Sequence, residues 1–330
     1  MIPKTGLSSV LAPIIAGYLS LKEALGRRYA IERSVLEHLD RFLAARATDI
    51  APNTFTGWCL TQQHLASGVR RNRMRIVRNL CLYRQRTEPG CFVPDHALFP
   101  PLHQRIRPHI FTEGEIASLL DAAEGLTPTP SSPLRREGFR LAIVLLYTTG
   151  LRRGELVRLI LGDCEPQEHT LLIRESKFHK SRLAPLSPDV GREIDRYLKA
   201  RRIRGLPFSK DTPLLWNRSR GGRPYTGAGL AQGIRQLLRT TGIRTREGRL
   251  PRVHDFRHGF AVNALLRWYR TDADVHAKLP LLAAYMGHVS IASTYHYLQL
   301  IEPLAASASA RFDRHCSTVV TARPAPGGLP

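Results

Sequence analysis

Between residues 88 and 110 no continuous helix can form, because Pro89, Pro94, Pro100, Pro101 and Pro108 each remove a backbone donor and crowd the preceding turn. On either side, apolar residues recur at spacings of three and four, the period of a half-buried helix. A chain of 330 residues is long enough for two ordinary domains, so the break is expected to separate them. The organisation predicted is a helical domain over 1–87, a linker over 88–110, a second domain over 111–316 and a disordered Pro, Gly and Ala-rich tail over 317–330.

In the first domain the stretches Ile14 to Ala45 and Thr54 to Arg86 carry the helical period. From Ile50 to Thr87 there is no acidic residue, while Arg70, Arg71, Arg73, Arg75, Arg78, Arg84 and Arg86 crowd the second half. On a helix Arg71, Arg75 and Arg78 fall on one side, and Val69, Ile76, Leu80 and Tyr83 on the other. The apolar stripe is expected to pack inward and the arginines to face outward, where phosphates can be met.

The second domain opens at Thr112-Glu-Gly-Glu, a capping box that announces a helix to about Ala123. An apolar helix from Arg140 to Thr149 is ended by Gly150, and a short one carries Arg152 to Leu159. His169 to Ile173 and Leu183 to Leu186 are short apolar runs flanking the polar, basic Arg174 to Arg182, which reads as a hairpin with an exposed tip. Ser187-Pro188 caps another helix, and further helices are expected over about 227–240, 254–270, 274–286 and 290–300. The fold class is therefore mainly α, an α+β arrangement with one small sheet.

Charge narrows the partner. Forty-nine Lys and Arg against 27 Asp and Glu leave +22, a field that attracts polyanions, with nucleic acid foremost. No stretch approaches the roughly 18 uninterrupted apolar residues of a membrane span, and the N-terminus lacks a signal-peptide layout. A cytoplasmic protein is expected, associated with the nucleoid when bound to DNA. Cys59, Cys81, Cys91, Cys164 and Cys316 are odd in number, scattered and never in a Cys-x-x-Cys pair, so neither a disulfide framework nor a zinc site is indicated. No Walker-type loop is present to support ATP-driven chemistry, and no cofactor is expected.

Three motifs carry reactive groups. In His254-Asp-Phe-Arg-His, His254 and Arg257 are three apart and project from one helix face, with His258 one turn beyond His254. The run has a superficial likeness to the His-Glu-x-x-His of zinc proteases, yet the acid is Asp, a third ligand is missing, and an arginine between the histidines repels a metal. Thr149-Gly-Leu-Arg152-Arg-Gly-Glu155 sets an arginine just after a helix-ending glycine. Gly287-His288 precedes Tyr297 by nine residues from the histidine, with Tyr295 close by.

In this order the motifs resemble those of the tyrosine recombinase, or phage integrase, family, and the likeness covers both domains. It implies that Arg152 is the first catalytic arginine, Glu155 its supporting acid, Lys177 the hairpin lysine and His254 with Arg257 the central pair. His288 then matches the later histidine and Tyr297 the nucleophile. The family often shows Gly-Lys-Gly where this chain has Ser176-Lys177-Phe178, and Lys180 stands three residues on as the alternative acid. Tyr297 has the family's spacing from His288; Tyr295 does not. Asp255 and His258 read as further supporting groups, and Arg153 and Lys180, like Arg71, Arg75 and Arg78, as contacts to duplex DNA. The resemblance also implies a homotetramer on paired sites, a 3′-phosphotyrosyl intermediate and, with few residues before position 10, no arm-site domain of the kind some phage integrases carry.

The chemistry accounts for these residue types. Attack on a phosphodiester concentrates charge on oxygens that fixed cations can meet, and a guanidinium stays protonated and grips two oxygens at once. A tyrosine of ordinary pKa about 10 must lose a proton as it attacks, and His254 can accept it. An ammonium on a mobile hairpin can protonate the departing 5′ oxygen. Two rivals share parts of this pattern: a non-catalytic architectural DNA-binding protein of the same fold, and a type IB topoisomerase acting as a monomer.

Overall fold

The two stretches of helical period in the first unit resolve into four helices: α1 (Ala12–Ala24), α2 (Ala30–Ala44), α3 (Pro52–Leu60) and α4 (Ser67–Arg84). The break between α1 and α2 falls at Gly26, whose φ of 73° suits the left-handed region that glycine occupies without penalty. Pro52 opens α3 at a position where a missing N–H costs nothing. This is a computed structural model, and it describes residues 6–27, 29–101, 107–165, 168–174, 181–218, 222–271, 273–287 and 294. The chain forms two compact units, Met1–Ile106 and Arg107–Pro330.

The first unit closes on Ile15, Leu36, Leu39, Leu43, Trp58, Val77 and Leu80, all buried. The Trp58 indole keeps a partner in that core by donating to His38 Nδ1 at 3.0 Å. Asp40, fully buried, accepts from the Ser8 and Ser9 amides and the Ser9 hydroxyl, so its charge is matched by donors. On α4 the buried arc is Met74, Ile76, Val77, Leu80 and Cys81, whereas Val69, expected inside, is 48% exposed at the first turn. A helix end lacks the neighbouring turn that would complete its stripe. The Pro-rich segment is no bare tether: Phe92, Val93 and Phe99 pack on the first core, and Ile110 packs in the second unit.

The second unit is built around α6 (Arg135–Thr149), which starts five residues before the expected Arg140. Phe139, Leu141, Ala142, Ile143, Leu145 and Leu146 are buried on every side of it, as a central helix requires. Around it pack α5 (Glu113–Glu124), α8 (Pro188–Ile203) and α10 (Val253–Arg270). The caps expected at Thr112 and Ser187 form, and Thr226 adds a third. Thr112 Oγ1 accepts from the Glu115 amide at 3.2 Å and Glu115 returns a bond to the Thr112 amide, while Ser187 and Thr226 cap α8 and α9 (Gly227–Thr240).

The hairpin forms from β2 (Thr170–Ile173) and β3 (Arg182–Pro185), antiparallel, with Ile173 opposite Arg182. A third short strand, β1 (Cys164–Glu165), pairs with the other edge of β2 and was not expected, since two residues carry no readable period. The helix expected from Arg152 to Leu159 is a single turn, α7 (Arg153–Leu156). Finally α11 (Val275–Met286) ends at Gly287 and packs on α10 through Val262, Leu265, Leu279, Leu282 and Met286. Of the helix expected over 290–300 only Thr294, helical and buried, is described, and the tail over 317–330 lies outside the described residues. Among the described residues, no helix is long and apolar enough to cross a membrane.

Candidate active site

Two helix C-termini converge in the second unit. The last turn of a helix leaves carbonyls without amide partners and carries a partial negative charge. The end of α6 offers the Gly150 carbonyl, and the end of α11 offers those of Tyr285, Met286 and Gly287. Three arginines from three other elements meet them. Arg257 on α10 donates from Nη1 to the Gly150 carbonyl at 2.7 Å and from Nη2 to the Met286 carbonyl at 2.5 Å. Arg152, at the N-cap of α7, donates from Nη2 to the Gly287 carbonyl at 3.0 Å. Arg182 on β3 donates from Nε to the Tyr285 carbonyl at 2.7 Å.

Both turns need glycine. Gly150 and Gly287 sit at φ of 61° and 64°, where other residues are strained. A Cβ at 150 would stand 2.6 Å from the Phe260 ring, and one at 287 would stand 2.8 Å from Arg182 Nη1.

Glu155 binds the cluster together. Its Oε1 accepts from Arg152 Nη1 at 2.7 Å and Arg182 Nη1 at 3.1 Å; its Oε2 accepts from the Arg152 amide at 2.8 Å and Arg182 Nη2 at 3.0 Å. Burial alone would push this carboxyl up. The bonds from Arg182, the Arg152 amide and the Arg152 side chain outweigh it and hold the pKa at about 2. Asp255, equally buried, makes the same local box at the start of α10: Oδ2 accepts from the Arg252 amide at 2.8 Å and Oδ1 from Arg252 Nη2 at 2.7 Å. The box closes the first turn of the helix that carries His254 and Arg257.

His254 and His258 lie edge to face with ring centroids 4.6 Å apart. Desolvation first, then the Arg257 and Arg252 cations, hold the His254 pKa below its ordinary 6.5, against an opposing pull from Asp255. His258 is held lower still, at about 4, by burial first and then by His254 and the Arg252 and Arg257 cations. Both imidazoles are therefore neutral at neutral pH, and neutral imidazole keeps one nitrogen as an acceptor.

Of the residues singled out from the sequence, the fold brings Arg152, Glu155, His254, Asp255, Arg257 and His258 into one cluster. Arg152 is partly exposed, while Arg257 is only 1% exposed and forms the floor. Lys177, Lys180, His288, Tyr295 and Tyr297 lie outside the described residues. Arg153 is exposed and lies across the N-terminus of α9, its Nε 3.1 Å from where a Cβ on Gly227 would be. On α4 Arg75 is exposed, but Arg71 and Arg78 are half-buried, and Arg71 Nη1 donates to the Pro100 carbonyl at 2.6 Å.

Arg182 and Arg252 were missed. For the first, the alternation of the strand points the wrong way: Leu183 would be set inside and Arg182 outside, whereas Ala184 is fully buried and Leu183 exposed, so Arg182 lies on the inner face and must find partners there. Together Arg152, Arg182, Arg252 and Arg257 set four guanidinium groups against Glu155 and Asp255, a net charge of two positive among these side chains. Such a cluster suits an anion.

Residues 109–302 match the family model described as the phage integrase family. The putative integrase/recombinase y4rE of Sinorhizobium fredii is 32% identical over 316 residues, covering 93% of this chain and 97% of that protein. The tyrosine recombinase XerD of Mycobacterium tuberculosis is 32% identical over 205 residues, 61% of this chain and 60% of its own length. In fold, the chain is similar to the Tn1549 transposon integrase in complex with transposon right end DNA, with a TM-score of 0.62 at 19% identity over 92% of this chain and 99% of that one. It is also similar to a lambda integrase dimer bound to a COC′ core site, with a TM-score of 0.59 at 18% identity over 87% of this chain and 76% of that one.

Proposed function

Because this chain belongs to the phage integrase family, we propose that it is a site-specific recombinase of a mobile element, cutting and rejoining duplex DNA through a 3′-phosphotyrosyl bond at Tyr297. The observation that supports this reading best is the clustering of Arg152, Arg257 and His254, from elements about a hundred residues apart, around two converging helix ends. Nothing in a purely architectural protein requires that arrangement.

In the proposed reaction the scissile phosphate lies against Arg152, with Arg257 adding its field from the floor. Losing one such preorganised donor costs about 3 kcal/mol of barrier, two to three decades in rate. The Tyr297 phenol oxygen attacks phosphorus and the bond to the 5′ oxygen breaks. The phenol proton passes to His254, whose depressed pKa leaves it neutral and able to accept. His288 donates to the same phosphate, and Lys177 supplies the proton to the departing 5′ oxygen. A 5′-hydroxyl from another strand reverses the step, so no ATP is consumed. The surroundings are the cytoplasmic nucleoid, and the assembly is a homotetramer on two paired sites, with Arg75 and Arg153 among the contacts to backbone phosphate.

The test is a nicked half-site duplex built from the sequence the protein selects out of a random pool. Wild type is expected to form a covalent adduct that survives denaturing electrophoresis, and Tyr297→Phe to bind the same DNA without forming it. Specific binding with no wild-type adduct would refute the catalytic reading, and an adduct retained by Tyr297→Phe would move the nucleophile to Tyr295.

A further inference from the structure

β3 contributes a side chain that none of the three motifs contains. Arg182 has an 11% exposed side chain and spends its guanidinium on two elements at once, making a parallel pair of bonds to the two oxygens of Glu155 and a third bond, from Nε, to the Tyr285 carbonyl. Lysine could not do this, because one ammonium is a single point with no planar fork.

The consequence falls on Arg152. Without Arg182 the Glu155 carboxylate would be held by Arg152 alone, from its Nη1 to Oε1 and its amide to Oε2, so that acid and guanidinium could shift together. Two parallel bonds from Arg182 fix the plane of that carboxylate. The Arg152 amide holds the same Oε2 from the other side. With the acid immobile, the Arg152 guanidinium is pinned between Glu155 Oε1 and the Gly287 carbonyl. The packing of Arg182 against Gly287 fixes the second of those anchors too, since not even a methyl group fits between them.

We infer that Arg182 is a positioning residue for strand cleavage: it holds Glu155 and the Gly287 turn so that the Arg152 guanidinium is preorganised toward the phosphate. The inference rests on the functional reading above. It gives Arg182 no contact with DNA, so binding should be insensitive to it while the chemical step is not. It also separates Arg182 from the leaving-group acid proposed on the same hairpin, although Arg182 begins the strand that follows the tip.

Arg182→Lys and Arg182→Ala in the full-length chain, on the nicked half-site duplex, are expected to bind within about twofold of wild type. Adduct formation should slow by roughly tenfold or more for Lys and a hundredfold for Ala, the range seen when a site slips out of register. On the same duplex with sulfur replacing the bridging 5′ oxygen, whose thiolate departs without a proton, Lys177→Ala should recover and both Arg182 variants should stay slow. Cleavage by Arg182→Lys within threefold of wild type would overturn the inference. So would recovery of the Arg182 variants on the sulfur substrate, which would place Arg182 with the leaving-group acid. Should Arg182→Ala not fold, Arg182→Lys decides. A readout independent of activity is nitrogen-15 NMR of the arginine side chains. Hindered rotation of the Arg152 guanidinium is expected in wild type and averaging in Arg182→Lys; equal mobility in both would overturn the inference even if cleavage proceeds. Hindered rotation lost in the variant, with no adduct from wild type, would instead sustain the positioning and sink the functional reading.

Discussion

Replacing Glu155 with Gln changes one atom in the most densely bonded side chain of the site. Each carboxylate oxygen accepts two donors, so whichever position the amide NH₂ takes, its hydrogens face two other donors. Two independent routes give the size of the loss. Glu155 has a pKa of about 2 in the folded chain against an ordinary 4.5, and that difference corresponds to about 3 kcal/mol. Removing one partner of a buried ion pair costs about 3–5 kcal/mol by experience with other proteins, which agrees. In a unit of this size about 3 kcal/mol lowers Tm by roughly 6–12 °C. The pH dependence follows from the sign: a depressed carboxyl contributes fully above its unfolded pKa and loses that contribution as pH falls toward the folded one. The deficit of Glu155→Gln relative to wild type should therefore be whole at pH 7 and shrink as pH drops from 4.5 toward 2, since only wild type has a carboxylate there to protonate. Calorimetry of both full-length proteins across that range is the assay. A deficit under about 1 kcal/mol at pH 7, or one that is unchanged on acidification, would refute the reasoning that the network holds a charged Glu155.

Two other predictions rest on separate features. Gly150→Ala should destabilise the second unit by about 2 kcal/mol or more, because it combines a positive φ with a Cβ set 2.6 Å from the Phe260 ring; a Tm within 2 °C of wild type would count against the observed turn. Arg75→Ala should leave Tm unchanged and reduce the salt slope of DNA binding by about one counterion, whereas Arg71→Ala should lower Tm through loss of its bond to the Pro100 carbonyl; thermal melts and salt titrations of binding separate the two.

Much of the architecture is legible locally. The Pro run, the Thr112, Ser187 and Thr226 caps and the glycines at 150 and 287 act within one turn of chain, and short-range signals of this kind are written in adjacent residues. The 3.6 period likewise marks α9, α10 and α11 to within a residue or two. It fails where a helix end lacks neighbours, as at Val69, and where the first turn of a helix carries no apolar stripe, as at Arg135, Arg136 and Glu137 of α6.

By itself, then, the sequence determined the helical class, the large positive charge and the order of Arg152, His254, Arg257, His288 and Tyr297 that marks the family. Tertiary structure alone decided that Phe99 belongs to the first core, that Arg257 is a floor residue only 1% exposed and that Arg182 shares Glu155 with Arg152. The reason is the range of the forces involved. Caps and stripes are satisfied by neighbours in sequence, but the orphan carbonyls at the ends of α6 and α11 acquire their arginine partners only when elements far apart in sequence are packed together.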